Sequence, residues 1–204
     1  MRRKGEGGDT VTSDECWVVA GLGNPGPWFR GTRHNAGFLV ADHLARRHGA
    51  AFRWHRARCR LAEIDVDGRR VILAEPQWFM NLSGGPVATV LQAYGVPAER
   101  LLVVHDDLDF RFGAVRMKRG GGAGGHNGLR SVSEALETTQ YTRLRFGIGR
   151  PPKGQKTGQY VLQKFTESER TALPSLLERC ADTVEALVVH GLDKAQTALH
   201  TAHA

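Results

Sequence analysis

Two apolar runs, CWVVA at residues 16–20 and LLVV at 101–104, each break off into polar or glycine-rich chain: GLGNPG after the first, HDDLD after the second. Runs this short, without alternation, read as strands buried in a sheet rather than as helices. Residues 35–48 carry Phe38, Ala41, Leu44 and Ala45 on one helical face, with Gly49 as a stop. Asp67-Gly68, between two alternating runs in residues 58–75, predicts a hairpin. Ser83 is placed to cap a helix through Tyr94, with Pro86 in its first turn and Gly95 closing it. Further strands are expected at 114–118 and 143–148. A glycine-rich loop at 120–128 leads to a helix at 129–137, and residues 167–190 have a helical pattern that Pro174 kinks or breaks. Strands interleaved with helices predict an α/β sandwich around a largely parallel or mixed sheet.

A chain of 204 residues suits one domain, and no interdomain linker interrupts it. Residues 1–14 are polar and charged and read as a disordered tail, leaving 15–204 as the folded body, expected to be cytoplasmic. No apolar stretch approaches the roughly 20 residues of a membrane span. Three scattered cysteines, Cys16, Cys59 and Cys180, fit buried thiols in a reducing compartment better than a disulfide framework. The net charge is +7; residues 1–15 hold three basic and four acidic groups and so contribute −1, leaving +8 on the body. A basic body raises the expectation of a polyanionic partner, nucleic acid first.

GLGNPG at 21–26 reproduces the spacing of the dinucleotide fingerprint G-x-G-x-x-G. That motif requires its third glycine inside a helix, whereas Gly26 lies between Pro25 and Pro27 and the following GPWFRGTR has no helical period. The segment instead reads as a tight turn presenting Asn24 at a sheet edge. Four other polar segments have the same character: TRHN at 32–35, FMNLSG at 79–84, HDDLD at 105–109 and GGHNG at 124–128. His34, His105, His126 and Asp106 are metal-ligand types, but no spacing fixes two of them on one element, so no metal is expected. Ser83 lacks the G-x-S-x-G setting of a nucleophile. A histidine–carboxylate pair among amides remains, which suits activation of water for ester hydrolysis.

GLGNPG, TRHNAGF at 32–38, FMNLSG, HDDLD, GGHNGLRS at 124–131 and RLRFGIGRP at 143–151 together resemble, in order, the bacterial-type peptidyl-tRNA hydrolases, over roughly residues 16–190. The resemblance implies a single-domain three-layer α/β sandwich with a twisted mixed, largely parallel sheet flanked by helices. It implies cleavage of the ester joining a peptide to the 3′-terminal ribose of tRNA, by a monomer without cofactor, metal or obligate protein partner. By motif, His34 would be the general base on water, Asp106 would orient it, and Asn24 would read the substrate's amide. Asn81 and Asn127 would bond the peptide, the tRNA end or the developing oxyanion, and Phe79 would line the cleft. Lys118 and Arg145 would meet tRNA phosphate near the acceptor stem, with Arg116 extending the patch. Phe29 stands where the family commonly has Tyr, so a hydroxyl is missing there, and Trp78 replaces a small polar residue. The alternative is a non-catalytic RNA-binding relative of splicing-factor type, which need not keep the histidine, carboxylate and amides present here.

Overall fold

The computed structural model describes residues 16–201, so the expected tail at residues 1–14 lies outside the described residues. One mixed sheet of seven strands organises them: β1 Trp17–Gly21, β2 Arg53–His55, β3 Cys59–Val66, β4 Arg69–Pro76, β5 Leu101–Asp107, β6 Val115–Arg119 and β7 Thr142–Gly147. Their order across the sheet is β2-β3-β4-β1-β5-β7-β6. The central four, β4-β1-β5-β7, run parallel, while β3 and β6 pair antiparallel outside them and β2 antiparallel to β3. The β3–β4 hairpin closes through Asp67 and Gly68, with φ of 51° and 79°, the two positive values of a type I′ turn.

Among the described residues six α-helices flank the sheet: α1 Ala36–Arg47, α2 Gly84–Tyr94, α3 Asn127–Leu136, α4 Thr157–Val161, α5 Glu167–His190 and α6 Leu192–Thr201. Val19, Leu73, Leu102, Val104, Leu144 and Phe146 share a core with α1, α5 and α6. Their strand neighbours Val18, Ala20, Ile72, Leu101 and Val103 share a second core with α2 and α3. This alternation of consecutive residues between two apolar layers is why β1 and β5 read as unbroken apolar runs. On β6 and β7 the second face differs: Arg116 pairs with Arg145 and Lys118 with Arg143 across the strands. Arginine and lysine occupy it where the other strands carry apolar side chains.

Several local expectations are corrected. The buried stripe of α1 is Ala36, Gly37, Val40, Ala41, Leu44 and Ala45; Phe38 falls off that i, i+4 line and is half-buried. Its ring lies over Gly23, where an added Cβ would stand 2.7 Å from it. Ser83 does not cap α2: its backbone is helical and its hydroxyl donates to the Met80 carbonyl at 2.8 Å. The Gly84 N–H finds Ser131 Oγ instead, at 2.9 Å. Helix α5 runs unbroken past Pro174, started by a Thr166–Glu169 capping box. α3 begins at Asn127, two residues before its expected start.

The first turn of α1 rests directly on the seam between β1 and β5. A Cβ on Gly37 would lie 2.2 Å from the Leu22 nitrogen and 2.4 Å from the Val104 oxygen, and one on Gly21 would lie 2.3 Å from the Gly37 oxygen. Those neighbours are backbone atoms of paired strands, joined by the Leu22 N–H to Val104 bond of 2.9 Å, and cannot yield cheaply. Gly37→Ala is therefore expected to destabilise the protein by about 2 kcal/mol or more. Gly85→Ala, at a helical site with open space around it, should be neutral or stabilising by up to about 1 kcal/mol. Urea denaturation of the two variants checks the contrast, and equal effects would contradict the close-approach account.

Candidate active site

The α1 seat fixes the preceding turn, residues 33–35, against the carboxyl end of β5. Arg33 anchors that turn from behind: its guanidinium donates to the Lys164 carbonyl and to Glu169, both at 2.7 Å, and lies 4.5 Å over the Tyr160 ring. Asn35 anchors it from the other side, accepting the Asn24 N–H and donating to the Asn24 carbonyl, each at 2.9 Å. Between these two anchors His34 presents Nδ1 to Asp106 Oδ1 at 2.8 Å.

Asp106 lies near the end of β5 and is 3% exposed. A second imidazole, His126, places Nε2 on the same Oδ1 at 3.0 Å. A carboxylate oxygen only accepts, so both facing nitrogens carry protons. His126 Nδ1 accepts the Leu129 N–H at 3.2 Å and thereby caps α3, which makes its ring the neutral Nε2–H tautomer. His34, bound through Nδ1–H, keeps a lone pair on Nε2. Burial works against the Asp106 charge, but electrostatic attraction to the His126 and His34 rings and the hydrogen bonds from their N–H groups outweigh it and hold the carboxyl well below its usual range.

His105 completes the group from behind. Its Nδ1 donates to the Asp106 carbonyl at 2.7 Å and its ring meets His126 edge-on at 5.1 Å. Burial, aided by the neighbouring His126 ring and the Arg143 charge, pushes its pKa down to about 3. One nitrogen each of His34 and His126 and one carboxylate oxygen of Asp106 lie within 4.8 Å of one another. Sequence spacing missed this donor set because each member comes from a different element. It is a plausible ligand set by chemistry, although a metal there would have to displace both N–H···O bonds.

His34, Asp106, His126 and Asn127 line a cleft of about 440 Å³ together with Lys118, Arg143, Arg145 and Arg150. Arg145 donates through Nε to Asp107 at 2.7 Å and lies 4.4 Å over Phe110, with Arg116 5.8 Å over the same ring. Arg143, almost fully buried, holds the glycine loop by the Gly121 and Gly122 carbonyls at 2.5 and 2.6 Å. Lys118 has no carboxylate partner among the described ion pairs. Burial and the adjacent charges of Arg145 and Arg143 lower its pKa, a repulsion that an arriving anion would relieve.

The remaining expected residues do not line this cleft. Asn24 is buried and its amide oxygen accepts the Met80 N–H at 2.7 Å, leaving only the Nδ2 donors without a protein partner. Phe79 and Asn81 stand exposed in the turn before α2, and Phe29 is half-buried in the turn after GLGNPG. Sequence reading missed Asn35, Arg143 and the second hydrogen bond of His126. The signal for His126 lay in HNGL opening a helix, where a histidine ring does the capping usually assigned to Ser, Asp or Asn.

A family model described as peptidyl-tRNA hydrolase matches residues 18–204. A peptidyl-tRNA hydrolase of Frankia casuarinae is 56% identical over 191 residues, 94% of this chain and 97% of that protein. One of Streptomyces coelicolor is 48% identical over 198 residues, 94% and 98% of the two chains. Among solved structures, peptidyl-tRNA hydrolase from Acinetobacter baumannii superposes with a TM-score of 0.85 at 32% identity, covering 94% of this chain and 97% of that one.

The buried His105 generates a pH prediction. Its folded pKa lies below the ordinary value of 6.5, so between about pH 6.5 and 3 the unfolded chain binds more protons and stability falls as pH falls. Over that window a His105→Asn variant should show a shallower decline of unfolding free energy, by up to about 1.4 kcal/mol per pH unit. An unchanged slope in urea titrations from pH 6.5 to 4 would contradict a neutral buried imidazole.

Proposed function

Because this chain belongs to the peptidyl-tRNA hydrolase family and so is a hydrolase of the ester between peptide and tRNA, we propose that His34 is its general base, with Asp106 and His126 as the apparatus that holds it. The observation carrying this reading is the single carboxylate oxygen shared by two imidazole N–H groups, at 2.8 and 3.0 Å, in the wall of a cleft that also carries Lys118, Arg143 and Arg145.

Water approaching the ester carbon gives its proton to His34 Nε2 as its oxygen forms the new bond. The imidazolium so formed keeps Nδ1–H on Asp106, whose charge stabilises it. His126 holds Asp106 in place and keeps the carboxylate ionised. Collapse of the tetrahedral intermediate breaks the bond to the ribose 3′ oxygen, which takes the proton back from His34, leaving a peptide carboxylic acid and tRNA. Asn127, at the start of α3, supplies amide donors beside the helix's positive end, suited to the developing oxyanion. With its oxygen committed to Met80, Asn24 acts only as a donor, to a carbonyl of the peptide. Asn81, Phe29 and Phe79 flank the ester on the β1–β4 side, and Lys118 and Arg145 take RNA phosphate on the β7–β6 side. The intact histidine–carboxylate group favours hydrolysis over non-catalytic RNA binding. Among the described residues no helix is long and apolar enough to cross a membrane, and a cytoplasmic monomer is the form proposed.

Release of N-acetyl-aminoacyl groups from charged tRNA tests the reading. His34→Ala should lower kcat by roughly 10² or more, and near-normal turnover would remove His34 from the role. Activity should survive EDTA; its loss would make the His34–Asp106–His126 set a metal site instead. KM should rise with salt, and Lys118→Ala should flatten that dependence by about one counterion's worth. A slope unchanged in the variant would return Lys118 to a solvated surface charge.

A further inference from the structure

The carboxyl edge of the sheet carries a second cationic feature, at the far side of the catalytic group from Lys118 and Arg145. Cys59 pairs with Pro76 at the end of β4, so the turn at residues 56–58 lies on the same edge as His34 and Asp106. The Gln77 N–H donates to the Arg58 carbonyl at 2.8 Å and locks this turn to the chain leaving β4. Trp78 follows immediately, and the Arg58 guanidinium lies 4.5 Å over its ring. Arg56, Arg58, Trp78, Leu82 and Pro86 line a groove of about 490 Å³ between this turn and the start of α2.

The groove's cations are not neutralised by the fold. Arg56 and Arg58 are exposed and have no acidic partner among the described ion pairs, whereas nearby Arg60 pairs with Glu75 and Arg70 with Glu63. Trp78 and Leu82 are 38% and 42% exposed. Stacked guanidinium over indole gives a flat amphipathic wall, with two cations available to one ligand.

Substrate polarity indicates the occupant. An ester joins RNA to peptide at the catalytic group, and RNA phosphate is assigned to the β7–β6 side. The β4–β3 side is then the direction in which the peptide leaves. Three strand spacings of about 4.8 Å separate β5 from β3, roughly 14 Å, which an extended peptide covers in about four residues at ~3.3 Å each. We propose that the Arg56–Arg58–Trp78 groove is a distal peptide subsite that takes an acidic side chain about four or five residues from the ester. This rests on the hydrolase reading given above and adds a substrate preference to it.

The test compares N-acetyl-aminoacyl-tRNA with a matched series of N-acetyl-hexapeptidyl-tRNAs carrying Glu, Gln or Lys at the fifth residue from the ester. At low salt the Glu substrate should show a KM about 3–10-fold below that of the Lys substrate. The paired change Arg56→Gln and Arg58→Asn should erase that difference while leaving turnover of N-acetyl-aminoacyl-tRNA unchanged. Asn is chosen at 58 because φ there is 54°, a region Asn tolerates. Equal KM across the series in the unmodified protein would overturn the subsite. A higher KM for the short substrate with a reduced salt slope in the paired variant would overturn it in favour of an RNA contact. Failure to cleave N-acetyl-aminoacyl-tRNA at all would instead overturn the hydrolase reading beneath it.

Discussion

Helix α1 meets the sheet backbone to backbone, with no side chain between Gly37 and the Leu22–Val104 seam, and the geometry of the His34–Asp106 pair follows from that contact. A helix seated one methyl group further out would carry the 33–35 turn with it. The 2.8 Å bond between His34 and Asp106 has no slack for such a shift, since hydrogen bonds weaken steeply beyond their usual range. Gly21, the first letter of GLGNPG, serves this same approach from the strand side. Its agreement with a nucleotide fingerprint is one of spacing alone: in that motif the third glycine packs helix on strand, whereas here the first does so and a Cβ on Gly26 would meet nothing within 4 Å.

Asp106 is a buried carboxylate that would be costly on its own. It is held ionised by two imidazoles whose other nitrogens have different duties. His126 spends its second nitrogen on the α3 cap and so is fixed in tautomer and orientation; His34 spends none and keeps the lone pair of Nε2 free of protein partners. The same structural economy governs the cleft wall. Arg143 holds the glycine loop and Arg145 is paired with Asp107, whereas Lys118, its pKa lowered by burial and by those two charges, has no carboxylate partner among the described ion pairs.

Much of this was legible in the sequence. The apolar runs at 16–20 and 101–104, the Asp67-Gly68 turn and the helix ending at Gly95 follow from local rules of burial, turn chemistry and left-handed glycine. The expected His34 and Asp106 meet in the structure. What escaped sequence reading depends on partners distant in the chain. Asn35 reads as one more polar residue until it brackets Asn24. Ser83 looks like a helix cap because Ser131, 48 residues on, cannot be foreseen as the acceptor for Gly84. His126 offers no ligand spacing, and only three converging elements reveal its place on Asp106. Trp78 was unexplained as a sequence feature, and its stacking under Arg58 arises from a β-turn two strands away.

The central claim is that His34 and Asp106 act as one unit, and a double-mutant cycle on single-turnover hydrolysis of N-acetyl-aminoacyl-tRNA tests it most directly. With His34→Ala and Asp106→Asn each slowing the chemical step, the double variant should be no slower than the slower single one, as for groups that work together. Losses that multiply in the double variant would show two independent contributions and contradict the account.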